Sequence, residues 1–393
     1  MTAGARRGPC STLRDIILDS IKMPTSLLSL LVFIAVFALV VFIHEFGHFV
    51  VARLLKVEVE EFGFGLPPRA MKLFRWKGTD FTLNWLPIGG FVRPKGENDP
   101  NVAGGLAAAS PWTRLAVLFA GPTMNLLLGV VVFSLLFFNI GVPDYHQVQI
   151  GDVLAASPAA QAGIKIDDIV VSANGITIRD ASQLHDIIYA SLDKPIELTV
   201  RRGGETITLT ALPSSSRPQA QGALGISMGP ALVRPGSTIQ SVQYGAVAVY
   251  AQARLLLLLP AQILRGQLSP QEGRLVGLKG IYDLFGQAVS RDIQSREAPP
   301  AASGSAATQT RTYFTLQLIG ILTISLGVLN LLPFPALDGG RILFVLPELV
   351  LRRRIPPEWE NRINAVGMAL LLLLMVYVNV MDFVNPAIVE LPK

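Results

Sequence analysis

Apolar runs of membrane length alternate along this chain with polar, Gly- and Pro-punctuated segments, and that alternation predicts the architecture. The first run covers residues 26–52 and follows a polar segment, 1–25, that carries Arg6, Arg7, Arg14 and Lys22. It resembles a signal peptide only superficially, because it is longer than the roughly 7–15 apolar residues of one and lacks a small-residue cleavage site. A retained helix of about the ~20 residues a bilayer requires is expected instead. Further spans are expected over 112–140, 313–345 and 364–384. Residues 53–111 show short alternation broken by Gly63-Phe64-Gly65-Leu66-Pro67-Pro68 and Gly89-Gly90, which predicts strands and hairpins rather than helix. Residues 146–213 read as a separate α+β module whose terminal hairpin turns at Gly203-Gly204. The remainder, 214–312, reads as a linker with one or two strands. Within it the apolar stretch 246–264, interrupted by Arg254, predicts an amphipathic helix lying on the membrane surface, and 291–311 predicts a flexible loop.

Composition strengthens this picture. Of 393 residues, 51% are hydrophobic and only 16% charged, which describes a multi-pass α-helical membrane protein. The net charge of +5 is dispersed in loops beside the spans and forms no aromatic-interleaved basic patch, so no nucleic-acid partner is expected. Eight Lys or Arg residues fall within 53–111, and Arg352, Arg353, Arg354 and Arg362 within 346–363. The positive-inside rule puts both loops in the cytoplasm, and the N-terminus, the 146–213 module and the C-terminus outside. With Cys10 as the single cysteine, an intrachain disulfide and a thiolate metal cluster are both excluded.

The candidate chemistry lies inside the first span. His44 and His48 are one helical turn apart on one face, where both imidazoles can grip one zinc ion, with Glu45 alongside as the general base. Ionisable groups at membrane depth are costly and usually functional. A catalytic zinc takes three protein ligands and keeps one position open for water. Asp338, at the end of the third span, is the best third ligand, although Asp338-Gly339 is also a common turn pair. Asn330 stands about two turns before it, and Pro333 and Pro335 expose carbonyls, so these three are candidates for holding a substrate backbone. In the second span, Gly121, Pro122 and Asn125 read either as a tolerated kink or as a helix shaped to pack against a site. A metal-permeation site built from His44, His48 and Asp338 is one competing reading. An inactive scaffold, which would hold no stoichiometric zinc, is another.

Two resemblances extend these readings. Ser157-Pro158-Ala159-Ala160-Gln161-Ala162-Gly163-Ile164, followed by Asp167-Asp168-Ile169 and Asn174-Gly175, resembles a bacterial PDZ domain, which implies a peptide partner bound by strand addition. His44-Glu45-Phe46-Gly47-His48 paired with Asn330-Leu331-Leu332-Pro333-Phe334-Pro335-Ala336-Leu337-Asp338-Gly339-Gly340 resembles the site-2 protease family of intramembrane zinc metalloproteases. Gly63-Phe64-Gly65, Leu86-Pro87-Ile88-Gly89-Gly90-Phe91-Val92 and Gly121-Pro122-Thr123-Met124-Asn125 match further. The likeness extends over about 26–383 and is nearest to the branch with a PDZ domain between spans two and three. It implies one zinc per chain and a bacterial inner-membrane location. It also implies a membrane-associated β element that presents a substrate strand near Phe81, Gly89, Gly90 and Phe91. The implied activity is regulated cleavage of single-span membrane proteins such as anti-sigma factors. One PDZ-like repeat is legible rather than two, and Gly277-Leu278-Lys279-Gly280-Ile281 replaces a more usual Gly-Pro-containing run.

Overall fold

A computed structural model describes residues 24–216, 222–266, 274–297 and 313–385. Residues 1–23 of the polar segment lie outside the described residues, as do residues 298–311 of the flexible loop expected over 291–311; its first part, 291–297, is helix instead. Two compact units emerge, each built from several stretches of chain.

In the first unit, α1 (Thr25–Leu54) is followed by an antiparallel hairpin of two long strands, β1 (Val59–Trp76) and β2 (Thr79–Pro94). Both strands bend, so that residues 61–64 are flanked on one side by 80–83 and on the other by 90–93, while 69–76 pair with 79–84. The result is a small curled sheet from a single hairpin. Its inner face is aromatic: Phe62 lies 5.5 Å from Phe49, 5.6 Å from Phe81 and 5.7 Å from Phe42, ring centre to ring centre. These rings, with Ala52, Val59 and Val117, form the core that seats the hairpin on α1 and on the start of α2 (Pro111–Ile140). Glu61, nearly fully buried, accepts bonds from Arg69 (2.7 and 3.1 Å), the Thr82 hydroxyl (2.8 Å) and Arg93 (3.0 Å). One carboxylate thus ties three segments of the curled sheet together. Glu61→Ala is expected to destabilise the hairpin by about 2 kcal/mol, since the buried hydroxyl loses its acceptor while both arginines can turn to water. Hydrogen exchange at residues 61–64 and 80–83 should accelerate about thirtyfold; unchanged protection would show that the carboxylate holds nothing.

The other elements of this unit are the first half of α2, the N-terminal part of α6 (Leu278–Glu297), the end of α7 (Phe314–Leu331), α8 (Asp338–Leu351) and α9 (Pro357–Val384). The third span expected over 313–345 is divided: helix stops at Leu331 and restarts at Asp338. Pro333 and Pro335 have no N–H to give to a helix, and Ala336 takes a left-handed backbone (φ 74°), so the ladder breaks across 332–337. The expected loop 346–363 is likewise mostly helical, leaving only 352–356 outside α8 and α9. The linker holds a further unforeseen helix, α6. Its N-terminus is capped by the fully buried Asp382 of α9, which accepts the amides of Gly277 (2.8 Å) and Gly280 (3.0 Å) and a bond from Arg274 (2.9 Å). The Gly277–Ile281 run thereby serves as a helix start.

The second unit is led by a six-stranded sheet of order β7-β6-β4-β3-β8, with β5 on β4. Its strands are β3 (Val142–Val153), β4 (Ile169–Ala173), β5 (Ile176–Thr177), β6 (Ile196–Arg202), β7 (Glu205–Ala211) and β8 (Ile226–Val233). Helices α3 (Pro158–Gln161) and α4 (Ala181–Ala190) complete it around Ile150, Leu184, Ile196 and Leu198. Gly203 and Gly204, both at positive φ, form the β6–β7 turn, as a type I′ connection requires. The module is larger than 146–213, because β3 begins at Val142 and pairs with β8. Also in this unit, α5 (Thr238–Leu264) lies against the second half of α2, with Tyr244 on Phe137 and Gly245 close against Ser134.

Five helices among the described residues are long and apolar enough to cross a bilayer: α1, α2, α5, α7 and α9. One of them, α5, begins eight residues before the surface helix expected over 246–264.

Candidate metal centre

The centre is assembled from three helices of the first unit. α1 supplies His44 and His48, both buried, at the i, i+4 spacing that stacks their rings on one face. The break at 332–337 aims the first residue of α8, Asp338, at the same point. His44 Nε2 and His48 Nε2 are 3.2 Å apart, and Asp338 Oδ2 is 3.1 and 3.3 Å from them. Tetrahedral zinc with bonds of about 2.0–2.1 Å requires ligand atoms separated by roughly 3.3 Å, so the three atoms fit that ion without rearrangement. They form the His/Asp group competent to hold a metal among the described residues.

The next shell comes from α2. His48 Nδ1 donates to the Val117 carbonyl at 2.7 Å, which fixes the tautomer that leaves Nε2 free for a metal. The Asn125 carboxamide lies 3.3 Å from His44 Nδ1. Metal ligation through Nε2 puts a proton on Nδ1, and a half-turn of the amide presents the Asn125 oxygen to it. Gly121 passes directly under the metal-facing edge of His48, where a Cβ would stand 2.2 Å from Nε2. Pro122 leaves its carbonyl beside Gly327, so α7 crosses α2 at that kink. Gly121, Pro122 and Asn125 therefore all face the centre or its packing.

Glu45 follows His44 on α1. Its Oε2 accepts the Val92 amide of β2 at 3.0 Å. Beside it lies a cavity of about 400 Å³, lined on α1 by Ala35, Ala38, Leu39 and Phe42 and on the hairpin chiefly by Gly63, Phe64, Gly89 and Gly90. Phe81 and Phe91 do not line it: Phe81 is stacked on Phe74 at 4.6 Å within the hairpin, and Phe91 packs over Gly63. Asn330 closes α7, half-buried, while Pro333 and Pro335 occupy the helix break, with Pro335 against Gly367 of α9. None of the three borders the cavity. Residues unmarked in the sequence also contribute: the Val117 carbonyl and the Val92 amide act through backbone, which no residue type signals.

The family model described as Peptidase family M50 matches residues 32–374. The chain belongs to peptidase family M50. Proteins whose names contain the words zinc metalloprotease are similar along nearly their whole length. One from Clostridium perfringens is 31% identical over 354 residues, covering 89% of this chain and 97% of its own. One from Clostridium acetobutylicum is 28% identical over 365 residues, covering 92% and 99%. RasP of Shouchella clausii is 27% identical over 436 residues, covering 89% and 97%. Membership in this family makes the chain a membrane zinc metallopeptidase, with zinc as its cofactor.

Proposed function

We propose that this peptidase hydrolyses peptide bonds in or near the transmembrane segment of single-span membrane proteins, with His44, His48 and Asp338 as zinc ligands and Glu45 as the general base. The carrying observation is the convergence of those three ligand atoms within 3.3 Å, two of them on α1, a helix of membrane-spanning length. Zinc bound there supplies a Lewis acid for the scissile carbonyl and lowers the pKa of an attacking water. Glu45 takes the proton from that water and returns it to the departing amide nitrogen. Val92 fixes the carboxylate rotamer in which it does so.

A helical substrate hides its peptide bonds in its own hydrogen bonds and must unwind to be cut. Residues 90–93 form the outer segment of the curled sheet, and Gly89 and Gly90 border the apolar cavity next to Glu45. An unwound segment laid there regains backbone partners by strand addition, and its apolar side chains find an apolar wall. Asn330, Pro333 and Pro335 serve the approach to Asp338. The β3–β8 module is a PDZ domain outside the membrane, and the hairpin, with Trp76, Trp85, Arg69 and Lys72 on its exposed face, sits at the cytoplasmic interface. Anti-sigma factors and signal-peptide remnants fit this substrate class, in a bacterial inner membrane.

Purified full chain incubated in vesicles with a single-span reporter should cut it within or next to the apolar segment, as mapped by mass spectrometry. A chelator should stop the reaction and added zinc restore it. Cuts confined to distant soluble flanks would sink the reading.

A further inference from the structure

The ligand atoms converge only if α8 is held at the correct depth and rotation against α2 and the hairpin. Its first residue is Asp338; Arg341 and Glu348 lie seven residues apart, hence on one face. Arg341 is ion-paired with Glu97, just beyond the end of β2, and Glu348 with Arg114, in the first turn of α2. Between the two pairs, Ile342 and Val345 pack on Leu115 and Leu118. The pairs have opposite polarity and lie two turns apart, so a helix slid or turned by one register would part both of them.

Each partner lies on or next to an element that shapes the centre. α2 carries the Val117 carbonyl on His48 and the Asn125 amide on His44, and β2 carries the Val92 amide on Glu45. The Arg114 side chain is only 8% exposed, that of Glu348 21%, and Arg114 Nε finds no hydrogen-bond partner among the described residues. Glu348 is therefore the chief compensation for a buried cation, and losing it leaves that cation to seek water by moving one helix from the other. We propose that Arg114–Glu348 and Arg341–Glu97 form a two-point clamp of positioning residues that sets the distance of Asp338 from the two histidines, and thereby the affinity for zinc. This rests on Asp338 being the third ligand.

The test is zinc affinity of the detergent-solubilised full chain, by competition with a chromogenic chelator. Glu348→Gln keeps the shape and removes the charge, and it should weaken zinc binding about tenfold, the lower end of what lost supporting contacts cost a metal site. Exchange of the pair, Arg114→Glu with Glu348→Arg, should restore affinity to within about threefold. Arg114→Lys, which keeps the charge, should fall between, and serves where the Gln variant does not fold. Unchanged affinity in a folded Glu348→Gln, or a lowered melting temperature with unchanged affinity, overturns the clamp. Asp338→Ala is measured in parallel: retention of zinc there overturns the ligand assignment itself, whereas its loss beside an unaffected Glu348→Gln overturns the clamp alone.

Discussion

Glu45→Gln is expected to reduce cleavage of a single-span reporter by about a hundred- to ten-thousandfold while leaving about one zinc per chain. The range is that of a lost general acid–base group. Glutamine keeps the length and planar head of the side chain, and its amide oxygen can still accept the Val92 amide now bound by Glu45 Oε2. The lining of the adjacent cavity is preserved too. What disappears is the capacity to take a proton from water and hand it to the leaving nitrogen. Because His44, His48 and Asp338 are untouched, zinc measured by atomic emission should remain stoichiometric. Undiminished cleavage with zinc retained would remove Glu45 from the chemistry. A permeation site made of the same three ligands also predicts retained zinc, but no cleavage by the wild type, so the reporter assay separates the two.

The parts of the site readable in advance are those that depend on short spacing. His44 and His48 at i, i+4 have to share a helix face, and Asp338 stands out as a carboxylate among apolar residues at the end of a run. The break before Asp338 was also visible in Pro333 and Pro335. Its consequence was not: composition is apolar on both sides of 332–337, so one span was expected where the chain makes two helices, and Asp338 begins the second rather than ending the first. The hairpin shows the same boundary. Alternation and glycines announced strands, but residues 61–64 pair on both edges, an arrangement set by bends that no periodicity records. That is why Phe81, expected beside a substrate strand, lies inside the hairpin stack. α6 stayed hidden because its capping carboxylate, Asp382, comes from about a hundred residues downstream, and polar helices without a local cap look like linker. The close approach of Gly245 on α5 to Ser134 on α2 is a long-range contact that no local pattern announces.

The second large effect is expected from one methyl group set against a ligand ring. In Gly121→Ala the new Cβ would lie 2.2 Å from His48 Nε2, 2.7 Å from Cε1 and 2.8 Å from Cδ2. The contact falls on the ring's metal-facing edge and cannot be relieved by a flexible tip. The ring is held from behind by its bond to Val117, so it can retreat only by giving up that 2.7 Å hydrogen bond or by swinging Nε2 away from His44 and Asp338. Either route displaces a ligand atom by far more than the roughly 0.2 Å that a zinc site tolerates. Zinc content should fall from about one per chain to near zero at micromolar free zinc, and cleavage should fall with it. Gly286→Ala supplies the contrast: nothing lies within 4 Å of its added Cβ on helix α6, so zinc and activity should be unchanged and stability slightly raised. Gly47→Ala should resemble Gly121→Ala for a different reason, since its Cβ would meet the Ala120 carbonyl oxygen at 2.5 Å and push the two helices apart. Normal zinc content in Gly121→Ala would mean that His48 binds from another rotamer, and the orienting role of the Val117 carbonyl would fall with it.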